Sequence, residues 1–249
     1  MFCSHCGKEI GEDQAFCQHC GASLREPTSA PDAAESRRKT PWEDRETNGF
    51  FGGLFGTLKA VLFSPREFFR AMPVTGGLAD PLLFALIVGM TGFMFSTVWQ
   101  TIFKGTFEGY LPSTLRSSYQ SFEGGGMVVY ALLSPFFLII ALFIGAGMLH
   151  LFLLMLKGAR AGFEATFRVL AYSFATNAIL AVPFCGGIIA WIWSLVVIII
   201  GLKEAHETTG GKAAVAVLFP LFLCCGVVIM FMVLFMGALF ASFGMMQQQ

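Results

Sequence analysis

An all-α membrane protein is the fold class this sequence predicts: a five-transmembrane-helix bundle preceded by a small N-terminal four-cysteine domain. Three observations carry it. Four charge-free apolar stretches, 81–103, 124–156, 169–202 and 213–249, run for 23, 33, 34 and 37 residues, whereas a helix crosses a bilayer core of roughly 30 Å in about 20. The third of them would measure about 50 Å as a single helix at a rise of 1.5 Å per residue, and Pro183 and Gly186-Gly187 interrupt its middle. Finally, one cysteine-bearing hexapeptide occurs twice within the first 24 residues.

Composition points the same way. Apolar residues make up 55% of the chain and charged residues 13%, the latter about half the share usual in soluble domains. The net charge of zero conceals an uneven distribution: 11 of the 16 acids and nine of the 16 bases precede residue 81. A polar segment is therefore followed by a bilayer-solvated one. The sequence opens without a basic n-region and apolar h-region, so the first topogenic element is expected at 81.

The repeated hexapeptide is Phe2-Cys3-Ser4-His5-Cys6-Gly7, returning as Phe16-Cys17-Gln18-His19-Cys20-Gly21. Its cysteines, Cys3, Cys6, Cys17 and Cys20, stand in a C-x2-C-x10-C-x2-C frame. Each C-x-x-C turn offers two sulfurs on one side, and four thiolates close a tetrahedral Zn2+ shell. Glycine permits the tight backbone after each pair. With no open coordination position, such a zinc is structural, one per chain; a labile or redox-active site is the other reading. His5 and His19 are expected outside the ligand set. A domain of 1–24 buries too little core to fold without its metal.

Residues 25–48 mix Pro, Ser and charge, the signature of a flexible linker. Residues 49–72 differ. Phe51, Leu54, Phe55, Leu58, Val61 and Leu62 form one helical stripe, and Ser64-Pro65-Arg66-Glu67 has the form of a capping box, flanked by Phe63 and Phe68 as a hydrophobic staple. These residues are expected to form two short amphipathic helices. Lying in the membrane interface, rimmed by Lys59, Arg66 and Arg70, and docking on the bundle are both open to them.

The spans follow at about 81–103, 127–156, 164–183, 186–202 and 213–243 within a domain of 73–249. With the N-terminus cytosolic, the cytosolic segments hold fourteen Lys and Arg and the external ones only Lys104 and Arg116. That is a strong positive-inside bias, and five crossings place the C-terminus outside. A re-entrant 164–202 hairpin is the alternative.

Polar groups within a bilayer call for a function or a partner. The candidates are His150, Tyr172, Ser173, Thr176 and Asn177, with Glu204 and His206 at the cytosolic rim of the fourth span. Either they tie helices together, or they line a pocket for a solute, ion or lipid headgroup. Gly210-Gly211-Lys212-Ala213 lacks the hydroxyl and the first glycine of a phosphate loop and reads as one helix stopping and the next starting. No nucleophile, base and orienting group occur in a usable spacing, so no enzymatic activity is expected. Cys185, Cys224 and Cys225 read as apolar filling.

Several runs, in order, resemble bacterial YIP1-domain proteins: Ser64-Pro65-Arg66-Glu67-Phe68-Phe69, Gly76-Gly77-Leu78-Ala79-Asp80-Pro81-Leu82, His150-Leu151, and Gly162-Phe163-Glu164-Ala165-Thr166-Phe167-Arg168 with Ala171-Tyr172-Ser173. Ile200-Gly201-Leu202, Glu204-Ala205-His206 and Lys212-Ala213 extend the likeness, which covers about 50–243 behind a zinc ribbon of prokaryotic type. The resemblance implies a five-helix bundle with a cytosolic N-terminus in the bacterial cytoplasmic membrane. Eukaryotic relatives bind Rab-type GTPases, but no residue here specifies that contact.

Three function classes follow. The first is a non-enzymatic scaffold or adaptor, whose ribbon recruits an unidentified cytosolic protein rather than nucleic acid while the bundle contacts the lipid bilayer and organises the membrane. The second is a small transporter or lipid-handling protein using the intramembrane polar residues. The third is a sensor relaying the metal or thiol state of the ribbon. Ala85-x3-Gly89, Ala141-x3-Gly145 and Gly237-x3-Ala241 permit close helix packing, within the chain or in a homo-oligomer.

Overall fold

The computed structural model describes residues 7–8, 20, 37–109 and 113–246. The chain divides into two units, Met1–Ser36 and Arg37–Gln249. Of the first, Gly7 has φ 69°, the left-handed conformation that glycine reaches without steric cost. Cys3, Cys6 and Cys17 lie outside the described residues, as do 25–36 and the three C-terminal glutamines.

The regular elements described in the second unit are all helical. Arg45–Phe63 forms α1 and Pro65–Ala71 forms α2. Then come α3 (Ala79–Gly109), α4 (Ser113–Met155), α5 (Gly162–Ser173), a 3-10 segment (Phe174–Ala181), α6 (Gly186–Ala205) and α7 (Gly210–Met246). Gly49 breaks α1 with φ 69° and ψ 170°, so its amphipathic stripe belongs to the part that follows.

The expected capping box is not made: Ser64 caps α2 with no side-chain hydrogen bond. The reason is the direct junction of the two helices. The Ser64 amide already donates to the Ala60 carbonyl at 2.9 Å as the end of α1, which leaves Glu67 no free N-cap amide to accept from. The staple is absent too. Phe63 is 79% exposed, while Phe68 packs its ring on Phe69 and Tyr172.

The stripe on α1 divides between two surroundings. Gly53, Thr57 and Val61 are buried, and Leu54 and Leu58 pack against the core. Phe51 and Phe55 point outward and stack on each other. Helix α1 thus docks on the bundle along one edge and presents aromatic rings along another.

Among the described residues four helices are long and apolar enough to cross a membrane: Ala79–Thr106, Val129–Met155, Gly186–Ala205 and Gly210–Met236. Their outward apolar side chains place the chain in contact with lipid. The segment expected to cross at 164–183 has a different form, twelve α-helical residues and then eight in a 3-10 helix. It is also the least exposed part of the bundle: Ala165, Phe167, Val169, Ala171, Tyr172 and Ala175 are fully buried.

Glycines let its neighbours approach. A Cβ on Gly89 would stand 2.5 Å from Leu138 Cδ1 and 3.2 Å from the Phe174 ring, one on Gly92 2.9 Å from Asn177 Cβ, and one on Gly201 2.5 Å from Val169 Cγ1. Ala85 is buried, and a Cβ on Gly145 would touch Leu170. Ala85, Gly89 and Gly145 therefore serve packing inside the chain, whereas Ala141 is exposed; the side chains of Gly237-x3-Ala241 lie outside the described residues.

The stretch expected as linker ends differently from its composition. Residues 37–44 lie against the bundle and 45–48 open α1. Trp42 is fully buried. It packs on Phe84, its indole N–H donates to the Asp80 carbonyl at 2.8 Å, and its amide donates to Thr57 Oγ1 at 3.0 Å. The Arg45 guanidinium covers the indole at 4.5 Å and pairs with Asp80 at 2.5 Å. One large aromatic side chain outweighs its polar neighbours, since burying it removes about 150–250 Å² from water. The polar neighbours hold its rim.

Candidate functional site

Three polar groupings gather where α2, α5 and the end of α6 meet the segment 37–44. The first centres on Arg168 of α5, whose side chain is 1% exposed. Its Nη2 donates to Glu43 Oε1, and its Nη1 donates to the Gly77 carbonyl at 2.9 Å. Glu43 Oε1 also accepts from the Tyr172 hydroxyl at 2.8 Å, and Oε2 accepts from the Thr40 amide at 3.2 Å. Thr40 Oγ1 is 3.1 Å from the same hydroxyl. Arg168 and Tyr172 can act together because positions four apart share one face of a helix. A buried charge must be paired and hydrogen-bonded, and Glu43 supplies both from 125 residues away in sequence.

The second grouping is a chain of three side chains. Thr166 Oγ1 lies 2.9 Å from His150 Nδ1 and 2.9 Å from His206 Nε2, and the Ala161 amide donates to His206 Nδ1 at 3.2 Å. The amide fixes the proton positions. His206 Nδ1 accepts, so neutral His206 carries its proton on Nε2 and donates to Thr166. The Thr166 hydroxyl then donates to His150 Nδ1. Helix α4, helix α5 and the residue capping α6 are joined in one directed line. His206 is fully buried; burial, then the neighbouring His150 and Arg37, push its pKa down to about 4. It is neutral at physiological pH, as its hydrogen bonds require.

The third surrounds Glu204, whose side chain is 9% exposed. It pairs with Arg66 Nε at 3.1 Å, Arg70 Nε at 3.2 Å and Lys203 Nζ at 3.2 Å. Arg37 closes the same end of α6. Its guanidinium donates to the Met72 carbonyl at 3.1 Å and pairs with Glu207 at 3.0 Å.

The residues marked in the sequence are thus distributed over separate places. His150 joins His206, while Tyr172 belongs to the Glu43 grouping and Glu204 to the basic one. Ser173 donates to the Val169 carbonyl at 2.7 Å and Thr176 to the Ser173 carbonyl at 2.9 Å, both within their own helix. Asn177 lies against Gly92. The tightening to a 3-10 helix after Ser173 replaces the four-residue spacing by a three-residue one, so 173 and 177 do not form the common face that an α-helix would give. Thr40, Trp42 and Glu43 join these contacts without having been marked in the sequence, where Thr166 and Arg168 stood only within the family resemblance. An isolated Trp-Glu pair in a polar stretch was the available signal.

For the four-cysteine segment the fit rests on the donor set. Four thiolates and a glycine at φ 69° directly after Cys6 suit a tetrahedral zinc knuckle. Cys20 is the one cysteine of the four among the described residues.

Comparison with known proteins agrees with the architecture. Residues 2–24 match a zinc-ribbon domain. No curated protein and no solved structure matches the chain. Residues 59–232 match the Yip1 domain; that match takes in the buried Arg168, the His150–Thr166–His206 line and the Glu204 cluster. The docked Thr40–Glu43 segment lies just before it. The chain belongs to the Yip1-domain family, as an integral membrane protein with a zinc-ribbon domain at its N-terminus.

Proposed function

We propose that this chain is a non-enzymatic membrane scaffold or adaptor, with the ribbon presented in the cytosol to a protein partner and Cys3, Cys6, Cys17 and Cys20 holding one structural zinc. One observation carries the reading: two groups of buried polar side chains bond to one another across elements. His150, Thr166 and His206 tie three elements, and Glu43, Arg168 and Tyr172 tie the segment following the ribbon to the central helix. Groups engaged in this way act as the interhelical fastening expected of a scaffold.

The 162–184 segment makes the fifth crossing in this reading. It keeps level with α3 along that helix's apolar length: Arg168 bonds Gly77, Tyr172 meets Phe84, the Trp99 indole donates to the Leu180 carbonyl at 3.1 Å, and Phe184 packs on Phe103 at 4.4 Å. A 3-10 helix rises about 2.0 Å per residue against 1.5 Å, which suits a short segment covering such a depth. Five crossings and the positive-inside bias put the N-terminus in the cytosol and the C-terminus outside the bacterial cytoplasmic membrane.

The test compares the full chain with Cys17→Ser and with His150→Leu, each purified in mild detergent. The adaptor reading expects a stoichiometric protein partner that Cys17→Ser loses and His150→Leu keeps. A bound solute, or flux in proteoliposomes, abolished by His150→Leu at unchanged stability would replace it with a transporter.

A further inference from the structure

We propose that Arg66, Arg70 and Lys203, gathered around Glu204, form a binding site for the phosphate of an anionic phospholipid headgroup. The proposal rests on the membrane orientation argued above, in which this end of α6 meets the cytosolic leaflet.

The geometry is that of a partly neutralised cation cluster. Three bases share one carboxylate, at 3.1, 3.2 and 3.2 Å. Beside them Arg37 is already paired with Glu207. Glu67, one position after Arg66, lines a separate groove of about 270 Å³ with Arg38 and Lys39. Two positive charges therefore remain in excess.

Their direction matters as much as their number. Glu204 lies beneath at 9% exposure, whereas the side chains of Arg66, Arg70 and Lys203 are 64%, 51% and 40% exposed. Both arginines reach Glu204 through Nε. Among the described residues no acceptor takes their Nη groups, so the outer edges of two guanidiniums face outward in the geometry that grips a phosphate bidentately. The positions follow from the sequence: 66 and 70 are four apart on α2 and share a face.

An apolar neighbour selects a lipid over a free anion. Phe63 is 79% exposed immediately before α2, and Phe51 and Phe55 are exposed on α1. Rings beside cations match the boundary where acyl chains give way to phosphates. Glu204 then serves as a resident counter-ion, holding the arginines in place and lowering the site's affinity for phosphate.

The full chain, purified in detergent, is titrated with phosphatidylglycerol, phosphatidylcholine or inorganic phosphate, and its thermal transition recorded. Phosphatidylglycerol should raise the transition and the other two should not. Arg66→Gln/Arg70→Gln should weaken the response roughly tenfold or more in lipid concentration, at about one interfacial contribution per removed base. Should that pair fail to fold, Lys203→Gln gives the same reading with a smaller loss. Glu204→Gln should start less stable and gain more from phosphatidylglycerol than the wild type, because the lipid phosphate replaces the lost carboxylate. Equal responses to both lipids, or an unchanged response in the arginine variant, overturn the site. An equal response to inorganic phosphate overturns the lipid assignment. Binding in detergent does not depend on orientation, so a reversed topology would be seen separately by a C-terminal reporter.

Discussion

Arg168 and Glu43 illustrate what a single buried ion pair demands. Their side chains are 1% and 7% exposed, so removing one partner leaves an uncompensated charge, which typically costs about 3–5 kcal/mol. Glu43→Ala should therefore lower unfolding stability in detergent by about that amount, while Glu43→Ala/Arg168→Met recovers much of it; equal losses in the two would show that charge is not the cause. His206 makes a different demand. Its pKa is about 4 in the folded chain, below the 6.5 of an ordinary imidazole, so the unfolded state binds its proton first. Its contribution is complete above pH 6.5 and is lost as pH falls toward 4, up to about 3 kcal/mol at 1.36 kcal/mol per unit. The physical reason is first the burial of the ring, then the neighbouring His150 and Arg37; a protonated ring would also set a second donor against the Ala161 N–H at Nδ1. Thermal scans from pH 8 to 4 should show this slope in the wild type and a flatter one in His206→Gln. Neither demand was legible in sequence beyond the presence of the residues. Arg168 read as a topological charge and Glu43 as one acid among many, because their partners are far away in the chain.

Individual elements differ in how openly the sequence announces them. Helices α3, α4, α6 and α7 are visible from their long apolar runs. The break near Pro183 and the start of α7 at Gly210 are visible from residues that cannot continue a helix. The change to a 3-10 helix at Phe174 is not, since nothing in Phe174–Ala181 forbids an α-helix; packing of that segment between α3 and α6, against Gly89 and Gly92, accompanies the tighter form. The knuckle is the opposite case, where spacing alone carries the expectation. Cys17→Ser should reduce bound zinc from about one per chain to near none and expose residues 1–24 to protease, with membrane insertion intact, because a four-thiolate shell tolerates no vacancy of this kind. Metal analysis of the reduced protein and limited proteolysis check both. Helix α1 lies between these extremes: its amphipathic stripe was readable, but which rings pack and which remain outside depended on where Gly53 and Thr57 meet Pro41 and Trp42.

At the scale of the whole molecule, orientation provides the remaining prediction. A phosphatase fused after the last residue should be active and a cytosolic fluorescent reporter there should be dark, as five crossings from a cytosolic N-terminus require. A bright reporter would mean that 162–184 does not cross. Membrane residence, the helical class, the zinc-ribbon domain and the direction of charge bias were all determined by sequence alone, because each depends on local quantities: run length, spacing, and the side on which Lys and Arg fall. The tertiary structure decided the rest. It set Trp42 into a core that its own neighbours could not build. It gave Arg168 a carboxylate from beyond the bundle, joined two histidines through one hydroxyl, and gathered three bases around Glu204. Each of these depends on which faces meet across long separations in the chain, and no periodicity along one segment specifies the partner on another.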